Sequence, residues 1–333
     1  MRIGTLCKVM PMAAASLLVG LVGCEGEFEG AASDDSSLVF RTPSSWSAWS
    51  EPVPVTELNT ALGDGNPCLS HDGLAVYFNS NRTGTLGNAD LWVAHRPDKD
   101  APWGTPVHLG DVINTSADDQ GPTLSQDGLV LVFLSNRAGG FGETDLYVSR
   151  RTDPADDFGW GPPENMGAYV NTSEVEQAPH LQKKGEDGNP TLYFGRGTPQ
   201  DIFAARVSKD GEVLEAAVAL DELNSSSVDV GVSMSVNGLE LYFHSGRPGG
   251  FGTLDIYVSI RAGVHDAWGE PQNLGALVNS TVGEFSPHIS ADGRTLLFTA
   301  ALRPGGQGAA DTWMSTRTPV GNGGSGVDDG EDE

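Results

Sequence analysis

The chain has 333 residues, long enough to hold a fold by burial and strand pairing alone. It sets 45 Asp plus Glu against 19 Lys plus Arg, a formal net charge of −26, which disfavours nucleic acid and anionic lipid as partners of the folded part. Three cysteines are too few to frame the fold with disulfides, so a small disulfide scaffold is excluded.

The first element is a targeting segment. Arg2 and Lys8 make a short basic region, and Val9 to Val22 is apolar but shorter than the roughly twenty residues a membrane helix needs. Leu21-Val22-Gly23-Cys24 resembles the lipobox of bacterial lipoproteins. The resemblance implies a signal peptide over residues 1–23, cleavage before Cys24, and acylation of Cys24 as a membrane anchor. Glu25, where an inner-membrane retention signal would carry Asp, favours the outer membrane of the cell envelope. An ordinary secretory signal with an incidental cysteine is the competing reading. Residues 24–37 are polar and acidic and read as a flexible tether.

From there one phrase recurs five times. Its second copy runs from Asn114 through Asp119 and Pro122 to Asp127-Gly128, an apolar run Leu129 to Leu134, Ser135-Asn136-Arg137, a glycine-rich turn, and Asp145-Leu146-Tyr147-Val148. The anchors Pro67, Pro122, Pro179, Val232 and Pro287 are spaced by 55, 57, 53 and 55 residues, a period that means stacked or radial repeats. Each copy predicts four short strands. The first surrounds the anchor. An Asp-Gly or Asn-Gly pair follows at residues 72, 127, 237 and 292, read as a type I′ hairpin turn. The second strand is apolar, and the third carries Trp92, Tyr147, Phe203, Tyr257 or Trp313. The fourth begins at Trp103, Trp160 and Trp268. Four antiparallel strands per repeat is a propeller blade. The last copy stops after three strands. Trp49-Ser50-Glu51-Pro52 resembles Trp268-Gly269-Glu270-Pro271, so the N-terminal segment is expected to supply the missing strand. The predicted fold is an all-β, five-bladed propeller over residues 38–319, followed by a disordered acidic tail over 320–333.

The motifs Pro122-x-Leu124-Ser125-x-Asp127-Gly128, Ser135-Asn136-Arg137-x-Gly139-Gly140-x-Gly142 and Asp145-Leu146-Tyr147-Val148 resemble the TolB-like, WD40-like repeats of bacterial envelope proteins. The resemblance covers Trp46 to Thr318. It implies a binding and scaffolding module with varied partners, so function must be argued from sites. The third copy departs from the pattern: Lys183 to Pro190 enlarge its first turn, its glycine-rich turn shrinks to Gly195 through Gln200, and its last strand has no tryptophan. Its loops are a candidate for partner contact, against simple drift in one blade.

Three constellations bear on chemistry. Asp64, Asp119, Glu176, Asp229 and Glu284 each precede an anchor by three residues and follow an Asn by five. In a closed ring they would surround one mouth of the axial channel. They read as structural caps on backbone N–H groups, as a cation ring with calcium the candidate, or as acid and base acting on a glycan. Presence in every blade argues against catalysis, which needs carboxylates in different environments. Arg82, Arg137, Arg196, Arg247 and Arg303 are expected to pair with Asp90, Asp145, Asp201, Asp255 and Asp311 across a hairpin. Cys68, Thr123, His180, Ser233 and His288 follow the anchors and are expected on the same side of the strand as the ring acids. Their spacing does not support a transition-metal site, and Cys68 reads as a small buried side chain.

These readings lead to a non-catalytic, monomeric, lipid-anchored binding or scaffolding propeller for a protein or glycan. They assign no cofactor, no catalytic residue and no metal ligand. The alternatives are a glycoside hydrolase-like enzyme using the channel-mouth carboxylates and a calcium-stabilised binding module.

Overall fold

The computed structural model describes residues 46–182 and 188–320. The expected signal peptide and tether, Cys24, and nearly all of the expected tail lie outside the described residues. Among those described, five four-stranded antiparallel sheets make up the fold, with a single helical turn at Gly110–Ile113. No helix among them is long and apolar enough to cross a membrane. The inner strands are Asp64–Leu69, Asp119–Leu124, Glu176–Gln182, Asp229–Met234 and Gly283–Ile289. Their order places one blade after another around an axis, a five-bladed propeller.

The ring closes as the sequence predicts. Val53–Pro54 is the outer strand of blade five and pairs antiparallel with Met314 and Trp313. Hydrogen bonds from Ser47 N–H to Thr318 O and from Ser50 N–H to Thr316 O extend the seam. Each outer strand is only two residues long, so the tryptophans expected inside it stand just before it. Trp103, Trp160, Trp268 and Trp46 instead lie under the guanidinium groups of Arg96, Arg151, Arg261 and Arg317, at 4.2–4.3 Å.

The apolar run of each second strand is buried on both faces because each blade is covered by its neighbours. Five apolar clusters fill the five seams between blades. Phe78, Phe133, Phe194, Phe243 and Phe298 occupy one equivalent position, all at 0% exposure. Burial of each contributes about 2–3 kcal/mol.

Two local features differ from expectation. The Asp-Gly turns are not type I′, since only the glycine has positive φ, as at Gly73 (74°) and Gly128 (71°). Asp72 accepts the Ser70 hydroxyl and the Leu74 N–H, and Gly73 N–H closes on Ser70 O, so the aspartate works as a side-chain brace. Each inner strand also carries a bulge, with a left-handed residue at Asn66, Gly121, Ala178, Gly231 or Ser286. The bulge breaks the two-residue alternation that the sequence reading assumed.

Candidate functional site

The ring acids Asp64, Asp119, Glu176, Asp229 and Glu284 sit where the chain enters the inner strands, each at 0–1% exposure. In blade two, Asp119 Oδ2 accepts the Thr115 N–H at 2.7 Å and the Thr115 hydroxyl at 3.0 Å. Oδ1 accepts Arg137 Nη2 at 2.6 Å. Arg137 also donates to Ile113 O and lies over Phe133 and Tyr147. The other blades repeat this with Arg82–Asp64 at 2.7 Å, Arg196–Glu176 at 3.0 Å, Arg247–Asp229 at 2.6 Å and Arg303–Glu284 at 3.3 Å. Glu284, with the longest ion pair, has its pKa raised by burial, which its Ser280 and Arg303 contacts oppose. The positive charge that offsets five clustered carboxylates is therefore built into the blades. Among the described residues, no group of three or more His, Cys, Asp or Glu is arranged to hold a metal ion.

The expected hairpin ion pairs, Arg82 with Asp90 and its equivalents, do not form. The arginines reach back eighteen or more residues to the ring acids instead. The second carboxylates are taken by the turn that precedes them. Asp145 accepts Phe141 N–H and Gly142 N–H, and Asn165 from the outer strand. Asp255 repeats this with Phe251, Gly252 and Asn273, and Asp90 with Leu86, Gly87 and His108. Asp311 keeps the two turn N–H groups of Gln307 and Gly308. The asparagines that precede the ring acids also have a role the sequence did not reveal. Asn114 accepts Leu91 N–H and donates to Leu91 O, so its amide stands in for a strand neighbour of the previous blade. Asn59, Asn171, Asn224 and Asn279 do the same.

Asp201 is the exception. Its shortened turn brings it no N–H donor, and Ala219 stands where His108, Asn165 and Asn273 stand in other blades. Its Oδ1 is buried with no hydrogen-bond partner, as Asp311 Oδ1 also is, but Asp311 keeps its turn donors on Oδ2; Asp201 as a whole is half-buried. Burial raises its pKa, and the charges of Asp229 and Asp221 raise it further. Asp221 is exposed. The broken repeat in the third copy was the sequence signal for this difference.

At the opposite end of the inner strands lies an axial cavity of about 70 Å³ lined by Cys68, Thr123, His180 and His288 with Gln126 and Gln182. A second, of about 30 Å³, shares Thr123, His180 and His288 and continues along the axis. The bulge explains this placement: it turns Cys68 and its equivalents toward the axis while the ring acids face their own blades. Three of the five staple neighbouring blades. Thr123 Oγ1 receives Leu181 N–H, His180 Nε2 receives Met234 N–H, and Ser233 Oγ receives Ile289 N–H, whereas the Cys68 thiol donates to Leu69 O of its own strand. A backbone N–H can only donate, so Nε2 of His180 is unprotonated, and Gln182 Oε1 at 3.4 Å is a contact rather than a bond. Burial lowers the pKa of His180 to about 4 and that of His288 to about 3, and raises the Cys68 thiol to about 11. One seam histidine was missed in the sequence: His244, whose Nδ1 accepts Ser286 N–H at 3.2 Å and whose pKa burial lowers to about 4.

No family model and no curated protein matches the chain. Solved structures do. An α-L-arabinofuranosidase from Lactobacillus brevis is 12% identical, with 80% of this chain and 94% of that one covered, at a TM-score of 0.54. An endo-arabinase from Bacteroides thetaiotaomicron is 19% identical, covering 82% and 98%, at 0.51. The catalytic domain of a Coprinopsis cinerea GH62 α-L-arabinofuranosidase is 13% identical, covering 82% and 96%, at 0.54. At such identities the likeness shows the fold, a five-bladed propeller. The expected five-bladed propeller stands, but these neighbours carry arabinosidase and arabinase names rather than those of TolB-like or WD40-like repeat proteins. That finding overturns the expected non-catalytic binding or scaffolding role.

Proposed function

We propose that this protein is a carbohydrate-active, glycoside hydrolase-like propeller whose reacting carboxyl groups lie in blade three. Asp201 is the general acid and the exposed Asp221 the general base. The supporting observation is that Asp201 alone among the five equivalent aspartates has lost both its turn N–H donors and its outer-strand partner. Glycoside hydrolysis needs one carboxyl group held protonated and another ionised. A carboxyl group stripped of donors, with Asp221 and Asp229 as its charged neighbours, meets the first need. The ring acids serve poorly, because their oxygens are occupied and sealed from substrate. Arabinosyl and galactosyl polymers are the first substrates to try, given the names of the structural neighbours, which include an exo-β-1,3-galactanase from Clostridium thermocellum (10% identical, TM-score 0.52). Incubation with arabinan, arabinoxylan and β-1,3-galactan at pH 5–6 should release reducing sugar. Release from none of them would remove the reading.

The lipobox carries a separate proposal, that Cys24 anchors the ring to the outer membrane of the cell envelope. Cys24→Ser should then free the protein from membranes and abolish acyl labelling. An unmodified Cys24 in membrane fractions would rule the anchor out.

A further inference from the structure

Of the two histidines in the seam ring, His288 does not staple. Thr123, His180 and Ser233 each accept a backbone N–H from the next blade, but among the described residues no hydrogen bond holds the His288 side chain. Its ring contact is with His180, edge to face, at 6.3 Å between centroids. The His288 side chain lines both axial cavities, so its nitrogens are available to whatever fills them.

The lining defines what that is. It contains no Asp, Glu, Lys or Arg, although the chain carries a net charge of −26. The lining thus offers neither an anion nor a cation a permanently charged side chain. The polar groups are the imidazoles of His71, His180 and His288, the amides of Gln126 and Gln182, and the hydroxyls of Ser70, Ser125 and Thr123. These donate and accept in equal measure. Leu69, Leu124, Leu181 and Ile289 supply apolar surface between them. A water needs about 10–15 Å³ of such volume, so the larger cavity of about 70 Å³ holds about five to seven waters, matching one hydroxylated ring.

We infer that the axial cavity is a second, non-catalytic site that takes one uncharged, hydroxyl-rich ring, with His288 as its principal hydrogen-bonding group. The choice of a sugar ring rests on the carbohydrate-active reading, but the site does not. Asp201 lies at the acid end of its blade, and the cavity opens at the other end of the six-residue strand Asp201–Arg206, about 17 Å away.

Binding is measured on the lipid-free ring by thermal shift and by imidazole NMR, with L-arabinose, D-galactose, D-galacturonate and D-galactosamine as probes. A neutral sugar should raise the melting temperature at pH 7 and move the His288 ring signals. The uronate and the amino sugar should do neither. His288→Leu should weaken neutral-sugar binding at least tenfold, and Asp201→Asn should leave it unchanged. If the leucine variant does not fold, the wild-type NMR titration decides. Unmoved His288 signals, equal binding of galacturonate, or full binding by a folded His288→Leu would overturn the site. Binding without any polysaccharide cleavage would sink the hydrolase reading and leave this one standing.

Discussion

At the residue scale, the five arginine–carboxylate pairs and the three buried histidines set the conditions under which the ring holds. Asp119 is sealed from solvent, so Arg137→Met leaves its charge without a partner. That should cost about 3–5 kcal/mol in denaturant unfolding. A cost below 1 kcal/mol would mean that the pair is incidental. The histidines give a pH dependence with a definite sign. His180 and His244 accept backbone N–H bonds and have pKa values near 4, and His288 lies near 3, below the ordinary value of 6.5. Between those limits the unfolded chain binds protons that the folded chain refuses. Stability is therefore fully present above pH 6.5 and falls with falling pH, by up to about 1.4 kcal/mol per pH unit for each histidine. Glu284 and Asp201, with raised pKa values, act in the opposite direction and offset part of this. Denaturation midpoints at pH 7.5, 5.5 and 4.5 should decline steadily. His180→Gln should shallow the slope, and equal midpoints across the series would refute it.

At the element scale, the repeat exposed most of the fold to inspection. Period, Asp-Gly turns and alternating aromatics are local signals, and each is set by a few adjacent residues. Even the closure of blade five was legible, because Trp49 to Pro52 repeats a phrase from blade four. What stayed hidden depends on one residue's φ. The left-handed residue at Asn66 and its equivalents shifts the register, and no composition signal marks it when Ala178 and Ser286 also adopt it. The side-chain partners of Arg82 and Asp90 were misread for a related reason: spacing along the chain says who is near, not which of two carboxylates is closer. Closure predicts that removing residues 46–55 uncovers the edge of Ala310–Thr316. The truncated ring should melt several degrees lower or aggregate on size exclusion. A monomer as stable as the full ring would mean that the outer strand contributes nothing.

At the scale of the whole molecule, near-fivefold symmetry conceals function, because any residue present in every blade is explained by holding the blades. The acid ring drew attention through its regularity, and the structure gives every member an arginine. The candidate site lies where the symmetry fails. The irregular third copy was visible in the sequence, but its consequence was not, since Asp201 looks like its four equivalents until the missing donors are seen. The most direct test compares Asp201→Asn with Asp119→Asn. Cleavage of the best arabinosyl or galactosyl polymer is read beside the melting temperature. The account predicts that Asp201→Asn loses at least about 100-fold in turnover with an unchanged melting temperature, whereas Asp119→Asn melts lower and retains turnover per folded molecule. Wild-type cleavage by Asp201→Asn would contradict it.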